Sequence, residues 1–238
     1  MGKLSTYLRF IKKEKSKFSN VSFWGLLKYY KPWTESVNEK NNKNSELPWM
    51  TFGAINFLKE QAAENMQVFE YGSGSSTLFW ANRVKYVYSI EHDLDWSKKV
   101  KLDLDNRKIN NVDLKYIKPE KRTESIQKDV ADPYQYSTDD QQWKDYSFEK
   151  YVRTIESFPD ATFDFVVVDG RARPSCIAAS LAKIKIGGYL VVDNSERDYY
   201  FTKTLPLLPG DTWRRKDFCG PVPGLRHFHQ TSFFKRIK

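Results

Sequence analysis

Cysteine is scarce in this sequence, long apolar runs are absent, and the common nucleotide-phosphate signatures are missing. Only Cys176 and Cys219 occur in 238 residues. Cys176 falls in a helix-like pattern, so a reduced pair is expected rather than a disulfide, in keeping with a cytoplasmic protein. No stretch approaches the ~20 consecutive apolar residues of a membrane span. Met1-Gly2-Lys3-Leu4-Ser5 lacks the apolar core of a secretory signal. Gly2 with Thr6 formally fits a myristoylation pattern, a match too cheap to carry weight. The phosphate loop G-x-x-x-x-G-K-S/T is absent, as is the K/R-G-F/Y-G/A-F-V signature of RNA-binding sheets. No internal repeat is visible.

What is present suffices for one packed α/β domain and an added segment, with 40% hydrophobic and 16% aromatic residues. The net charge of +9 comes from 39 basic and 30 acidic residues. Much of the excess lies at the ends, in Lys3, Arg9, Lys12, Lys13, Lys15 and Lys17, then Arg214, Arg215, Lys216, Arg226, Lys235, Arg236 and Lys238. Weak binding of an anionic surface through the basic N-terminus is one reading of this charge. A solvated basic face is the simpler one and is preferred.

The chain is organised around Val68-Phe69-Glu70-Tyr71-Gly72-Ser73-Gly74-Ser75-Ser76-Thr77. An apolar run enters, small residues turn, and Leu78-Phe79-Trp80-Ala81 leaves, which reads as strand, tight loop and helix start. In an open α/β sheet a nucleotide-like ligand sits at such a turn, outside the carboxyl ends of the strands. Gly72 and Gly74 allow positive φ and close backbone approach. Ser75, Ser76 and Thr77 can cap the helix and leave N–H groups facing the ligand. The dinucleotide pattern G-x-G-x-x-G would require glycine at Thr77. Glu70 disfavours a pyrophosphate and suits a ligand carrying positive charge. A purely structural glycine turn is the alternative.

Residues 1–46 form an expected helical, basic and aromatic extension, and residues 47–238 the domain. Leu4, Tyr7, Leu8 and Ile11 have the spacing of one helix face. Packing on the chain's own domain is preferred for that face over a membrane or partner surface. Phe23, Trp24, Leu26, Leu27, Tyr29 and Tyr30 cluster next, and the polar stretch Asn38–Asn44 is the best linker. Pro48 opens a helix pattern through Phe52, Ile55, Leu58 and Ala62. Strands are expected at Val68-Phe69, Tyr86–Ile90, Val112–Ile117, Phe163–Val168 and Tyr189–Val192. Asp95 is read as the cap of a helix through Trp96 and Val100. Further helices are read through Phe148, Tyr151, Val152, Ile155 and Phe158, through Ile177, Leu181 and Ile184 up to Gly187-Gly188, and from Asp198 to Leu205. Lys118–Ser147 is long and aperiodic, which suggests a functional or mobile loop. Thr212–Asp217 and Gln230–Lys235 read as antiparallel strands joined across Gly220–Gly224. The pattern implies a doubly wound, mostly parallel sheet.

Glu91 ends the second strand roughly 20 residues beyond Gly72, the separation expected of a carboxylate that accepts from ribose hydroxyls. Strands ending in Glu91, Asp169 and Asp193-Asn194 should gather these groups in one cleft. Together, Glu70-Tyr71-Gly72-Ser73-Gly74-Ser75-Ser76-Thr77, Ser89-Ile90-Glu91-His92-Asp93, Phe163-Asp164-Phe165-Val166-Val167-Val168-Asp169-Gly170 and Gly187-Gly188-Tyr189-Leu190-Val191-Val192-Asp193-Asn194 resemble the class I S-adenosylmethionine-dependent methyltransferases. Ser76 stands where many members carry a third glycine.

The resemblance spans about Pro48 to the C-terminus. It implies a Rossmann-like, seven-stranded sheet in the order 3-2-1-4-5-7-6 with an antiparallel C-terminal strand. It implies S-adenosylmethionine as cofactor, held by Glu70, Gly72, Ser73, Gly74, Thr77, Glu91, His92 and Asp169. The expected adenine position after the third strand is basic here (Lys118–Arg122), so that contact is unassigned, with Asp129 and Asp132 weak candidates. The Asn-Pro-Pro-Tyr signature of amino-group methylation is missing after the fourth strand.

Asp169, Asp193 and Asn194 also resemble the divalent-metal site of catechol-type O-methyltransferases, and as hard oxygen ligands would suit Mg²⁺. A metal-free site is preferred, because strand-end acids are common without metal and Arg171 and Arg173 set two cations beside them. Asp169 and Asp193 are then the candidate catalytic bases, with His92 a lesser one. Arg171, Arg173, Asn194 and Arg197 are candidate substrate contacts, the arginines through bidentate pairing with an anion. The expected acceptor is a small molecule or glycan. The competing readings are a nucleic-acid methyltransferase, a noncatalytic RNA- or membrane-binding module on the same fold, and, third, a dehydrogenase.

Overall fold

The computed structural model describes residues 3–16, 18, 21–38, 47–123 and 128–238. The linker expected at Asn38–Asn44, apart from the backbone of Asn38, and the boundary expected at residue 46 lie outside the described residues.

The strands are β1 (Gln67–Tyr71), β2 (Tyr86–Glu91), β3 (Val112–Tyr116), β4 (Glu120–Lys121), β5 (Tyr146–Ser147), β6 (Phe163–Val168), β7 (Ile184–Asp193), β8 (Trp213–Pro221) and β9 (Phe228–Arg236). The helices are α1 (Lys3–Lys15), α2 (Phe23–Leu27), α3 (Tyr30–Asn38), α4 (Phe52–Gln61), α5 (Ser75–Ala81), α6 (Leu94–Asn106), α7 (Glu149–Arg153) and α8 (Arg173–Ser180). Seven strands form one sheet in the order β3-β2-β1-β6-β7-β9-β8, and β4 pairs with β5 apart from it. β9 runs antiparallel to both β7 and β8, while the pairs from β3 to β7 are parallel. Counted along the sheet's own strands this is 3-2-1-4-5-7-6, as expected.

Strands buried on both faces need near-continuous apolar side chains, and β6 (FDFVVV) supplies them at every position but the half-buried Asp164. Its alternate residues divide between two cores. Phe165 and Val167 join Val68, Val87 and Val191 under α4 and α5, against Ile55, Leu58, Phe79 and Trp80. Val166 and Val168 join Phe69, Tyr71, Leu190 and Val192 under α7 and α8, against Phe148, Tyr151, Cys176 and Ile177. Each fully buried large side chain contributes about 1.5–3 kcal/mol, so this three-layer packing holds the strand ends rigidly.

Several local expectations are corrected. α4 begins at Phe52 rather than Pro48, because the Thr51 hydroxyl accepts from Ala54 N at 3.2 Å. Asp93, not Asp95, caps α6 by accepting from Trp96 N at 2.8 Å. α8 ends at Ser180, and Ile184 already belongs to β7. The strand passes through Gly187 (φ +87°) and Gly188, and its pairing with β6 shifts register between Phe163 and Phe165. In place of a helix over Asp198–Leu205 there are two 3₁₀ turns, Asp198–Tyr200 and Leu205–Leu207. Gly220 and Pro221 end β8 instead of forming the hairpin turn.

The N-terminal helices pack on the sheet's hairpin. Tyr7, Ile11, Leu26 and Trp33 are buried with Phe52 and Phe228. Tyr7 OH donates to Leu26 O at 2.6 Å, and Trp33 Nε1 donates to Leu225 O at 2.7 Å. Leu4 stays 49% exposed, so the apolar face of α1 is only partly used. Among the described residues no helix is long and apolar enough to cross a membrane.

Candidate active site

The turn after β1 is built against the turn after β6. Gly72 adopts φ +95°, and a Cβ there would sit 2.9 Å from Gly170 Cα and N. Only glycine meets both conditions, so Gly72 is fixed by the protein itself. Gly74 differs. Its backbone is extended, and an added Cβ would meet nothing nearer than the Trp96 ring at 3.9 Å. The protein alone does not demand glycine there, and the space beside it is a cradle that a side chain would fill. That fits the close approach of a ligand to the N-terminus of α5.

Glu70 is fully buried and anchors the turn. Its Oε2 accepts from Thr77 Oγ1 at 2.5 Å and Ser89 Oγ at 2.6 Å. Thr77 Oγ1 in turn accepts from Gly74 N at 3.0 Å. The other oxygen, Oε1, is buried without a hydrogen-bond partner. Burial pushes the carboxyl up to about 7, against the pull of the Ser76, Ser89 and Thr77 hydroxyls. An orphaned carboxylate oxygen below the turn suits a ligand bearing positive charge.

Glu91, 3% exposed, is fully engaged. Oε2 accepts from Ser73 N at 3.0 Å and Ser73 Oγ at 3.3 Å, and Oε1 accepts from His92 N at 2.7 Å and Asp93 N at 2.9 Å. His92 Nδ1 lies 2.7 Å from Oε1. Burial works to raise this carboxyl, but the His92 ring and the backbone donors outweigh it and hold it below its ordinary value. A carboxylate offers about four lone-pair sites. A ribose at Glu91 would therefore have to replace a present donor, and the long contact from Ser73 Oγ is the weakest. His92 packs among Trp143, Phe148 and Tyr151, with ring centroids 5.4–6.2 Å away, a place suited to orienting Glu91. Trp96 Nε1 donates to Ser73 O at 2.7 Å and lies over the same turn.

On the other side of Gly170, Arg173 takes the position proposed for a metal. The residue is 6% exposed. Nε donates to Gly170 O at 3.0 Å, Nη2 to Asp169 Oδ1 at 3.0 Å and to Asp169 O at 3.1 Å, and Nη1 to Asp193 O. The guanidinium also lies over the Tyr200 ring, 5.3 Å from its centroid. Asp193 Oδ1 accepts from Thr231 Oγ1 at 2.6 Å. Among the described residues no three His, Cys, Asp or Glu side chains are grouped to hold a metal. Asp169, Asp193 and Asn194 do not fit Mg²⁺, because a buried guanidinium already neutralises Asp169 and ties it to the Asp193 backbone.

Burial raises the Asp169 carboxyl, with Arg173 and Arg171 opposing. Burial and then the nearby Asp169 charge raise Asp193 further. Asp169 keeps 24% of its side chain exposed, whereas Asp193 is 2% exposed. Asn194, in the left-handed conformation (φ +51°), directs Nδ2 at His229 Nδ1, 2.8 Å away. Burial and the neighbouring cations lower His229 to about 4, so its ring is neutral near pH 7 and Nδ1 accepts from the amide.

Arg171, Arg173, Asn194 and Arg197 line one small polar cavity of about 80 Å³, flanked by Ser137, Thr138 and Asp139 and by Tyr199 and Tyr200. The structure thus gathers the four expected substrate contacts, though Arg173 is committed to the fold. Sequence reasoning missed the Ser137–Asp139 wall, His229 and Tyr151. Tyr151 OH is buried with no hydrogen-bond partner, and a Cβ on Gly170 would lie 2.1 Å from it. The aperiodic run before Ser147 was the available signal for the wall; nothing in the sequence singled out His229 or Tyr151.

No protein-family model matches the chain, and no curated protein matches it in sequence. Solved structures do. An O-methyltransferase from Bacillus cereus in complex with SAH aligns with a TM-score of 0.56 at 13% identity, over 85% of this chain and 89% of that one. An rRNA methylase from Streptococcus thermophilus aligns at 0.51 and 15% identity, over 77% and 93%. A precorrin-6y C5,15-methyltransferase from Geobacter metallireducens aligns at 0.51 and 12% identity, over 84% and 99%. The chain has the Rossmann-like fold of the class I methyltransferases. Those three proteins are named for different acceptors, so the fold leaves the acceptor open.

Proposed function

We propose that this chain transfers a methyl group from S-adenosylmethionine to a hydroxyl of a small molecule or glycan. The observation that carries the reading is the contact of two turns. Gly72 packs on the backbone of Gly170, and Gly170 lines the polar cavity. Donor turn and acceptor cavity share this wall, and direct displacement needs such adjacency.

Glu70, Gly72, Ser73, Gly74, Thr77 and Glu91 would hold the cofactor, with His92 orienting Glu91. When bound, S-adenosylmethionine supplies an electrophilic methyl on a positively charged sulfur. The Glu91 carboxylate, held below its ordinary value, sets a negative field that suits that charge, and a cation beside Glu70 would favour its ionised form. Asp169, partly exposed and raised by burial, accepts the proton of the acceptor hydroxyl. Arg173 fixes its carboxylate, and Asp193 supports the arrangement through its backbone carbonyl. The aromatic floor of Phe148 and Tyr151 keeps water away from the shared wall.

The test is incubation with radiolabelled S-adenosylmethionine and fractionated extract, alongside calorimetry with S-adenosylhomocysteine. Label in a small-molecule or glycan fraction is expected. Label confined to RNA would replace the hydroxyl acceptor with a nucleic acid. Absence of both label and binding would leave a noncatalytic sheet.

A further inference from the structure

The three arginines that line the polar cavity stand in two kinds of ion pair, and the difference between them bears on its ligand. Arg173 is buried, pairs with the half-buried Asp169 and donates to three backbone carbonyls. Breaking that pair would strand a buried charge, so it stays when a ligand enters. The other two pairs are made by neighbouring residues of one strap, Arg197–Asp139 at the surface and Arg171–Asp140 half-buried. Asp140 Oδ2 lies 2.7 Å from Arg171 Nη2, and Asp139 Oδ2 lies 3.5 Å from Arg197 Nη1. The Arg197 and Asp139 side chains are 46% and 44% exposed, and an exposed pair of that kind is worth only about 0–1 kcal/mol; Arg171 and Asp140, 37% and 27% exposed, are held more firmly but still reach solvent. Both pairs are open to exchange with another anion.

Each arginine also has unused capacity. Arg171 Nε is buried without an acceptor, and the Arg197 contact sits at the outer limit of a hydrogen bond. Removing the two strap carboxylates would leave the Arg171 and Arg197 guanidiniums without their ion-pair partners, facing a cavity whose other walls carry the polar side chains of Ser137, Thr138, Asn194 and Tyr199. A guanidinium presents a planar fork that matches a carboxylate or phosphate.

We propose that this cavity binds an acceptor bearing an anionic oxygen group beside its hydroxyls, as in a sugar acid or sugar phosphate, and that Asp139 and Asp140 are built-in anions which that group displaces from Arg197 and Arg171. The inference rests on the methyl-transfer reading for the purpose of binding but can fail separately from it.

The experiment measures binding without any methyl donor. Glucuronate, glucose 6-phosphate and glucose are titrated into the full chain, to tens of millimolar, and followed by protein-observed NMR. One or both anions should bind at least tenfold tighter than glucose, and which of them wins separates carboxylate from phosphate recognition. Asp139→Asn with Asp140→Asn should tighten that binding about fivefold, since the competing carboxylates are gone. Arg197→Gln, at an exposed position that leaves folding intact, should weaken it about tenfold. Equal binding of glucose, no binding of either anion, or no tightening in the double variant would each overturn the proposal. S-adenosylhomocysteine titrated separately distinguishes the two ideas. Donor binding without anion binding sinks only the acceptor class, and anion binding without donor binding sinks only methyl transfer.

Discussion

Gly72 and Gly170 are in backbone contact: a Cβ on Gly72 would lie 2.9 Å from both Gly170 Cα and N. Gly74, two residues on, touches nothing closer than Trp96 at 3.9 Å. The two glycines of one motif therefore serve different ends. Gly72→Ala should destabilise the protein by about 1–3 kcal/mol or more, through positive φ and the clash with the neighbouring turn. Gly74→Ala should change stability by no more than ~0.5 kcal/mol while weakening S-adenosylhomocysteine at least tenfold. Urea denaturation and calorimetry on both variants check the pair, and equal donor affinity in Gly74→Ala would place the cofactor elsewhere.

Arg173 carries the second expectation. Arg173→Met removes the cation that compensates Asp169 and should cost about 3–5 kcal/mol, the usual penalty for a stranded buried charge. In the parent protein methyl transfer should proceed equally with EDTA or added Mg²⁺, because the guanidinium holds the place between Asp169 and Asp193. An absolute requirement for a divalent ion would contradict this assignment.

Glu70 makes stability depend on pH. Its carboxyl is raised from 4.5 to about 7 in the fold, so the folded state binds the extra proton in that interval. The stabilising contribution is complete below 4.5 and is lost as pH rises through 7. A shift of this size corresponds to a change of up to ~3 kcal/mol. Glu70→Gln, which keeps an acceptor for Thr77 and Ser89, should flatten the parent's decline between pH 4.5 and 7. Parallel decline in parent and variant would assign the effect to other groups.

These predictions draw on features of unequal legibility. β1, β2 and β6 could be read directly, since central parallel strands are mostly apolar and stop near polar residues at the edge of the sheet. β7 was misread at its start because Ile177, Leu181 and Ile184 keep helical spacing. Gly187 at φ +87° lets the strand absorb an irregularity that no periodicity reports. The Asp193-Asn194 pair was visible as chemistry, but Arg173 reaching the Asp193 carbonyl was not, because backbone oxygens leave no mark in a sequence. The Arg197–Asp139 pair spans 58 residues, too far for any local pattern. Glu91 stands out in the sequence by its spacing, yet its saturation by Ser73, His92 and Asp93 appears only once the loop is folded.

The N-terminal helices give the last prediction. Trp33 is 4% exposed, stacks on Phe10 with centroids 4.9 Å apart, and donates to Leu225 O, 192 residues away. Phe228 N likewise donates to Glu14 Oε2 across 214 residues. These contacts tie α1 and α3 to the β8–β9 hairpin, whose strand β9 pairs with β7 beside Asp193. Trp33→Ala should then cost about 3–5 kcal/mol, the range for truncating a buried aromatic, and the protein should still unfold in one cooperative transition. An independent basic appendage would behave otherwise: the variant would keep the parent's main unfolding midpoint and lose only heparin retention. Urea unfolding followed by tryptophan fluorescence and by far-ultraviolet dichroism discriminates the two, since coincident, shifted curves require the helices to be part of the folded unit.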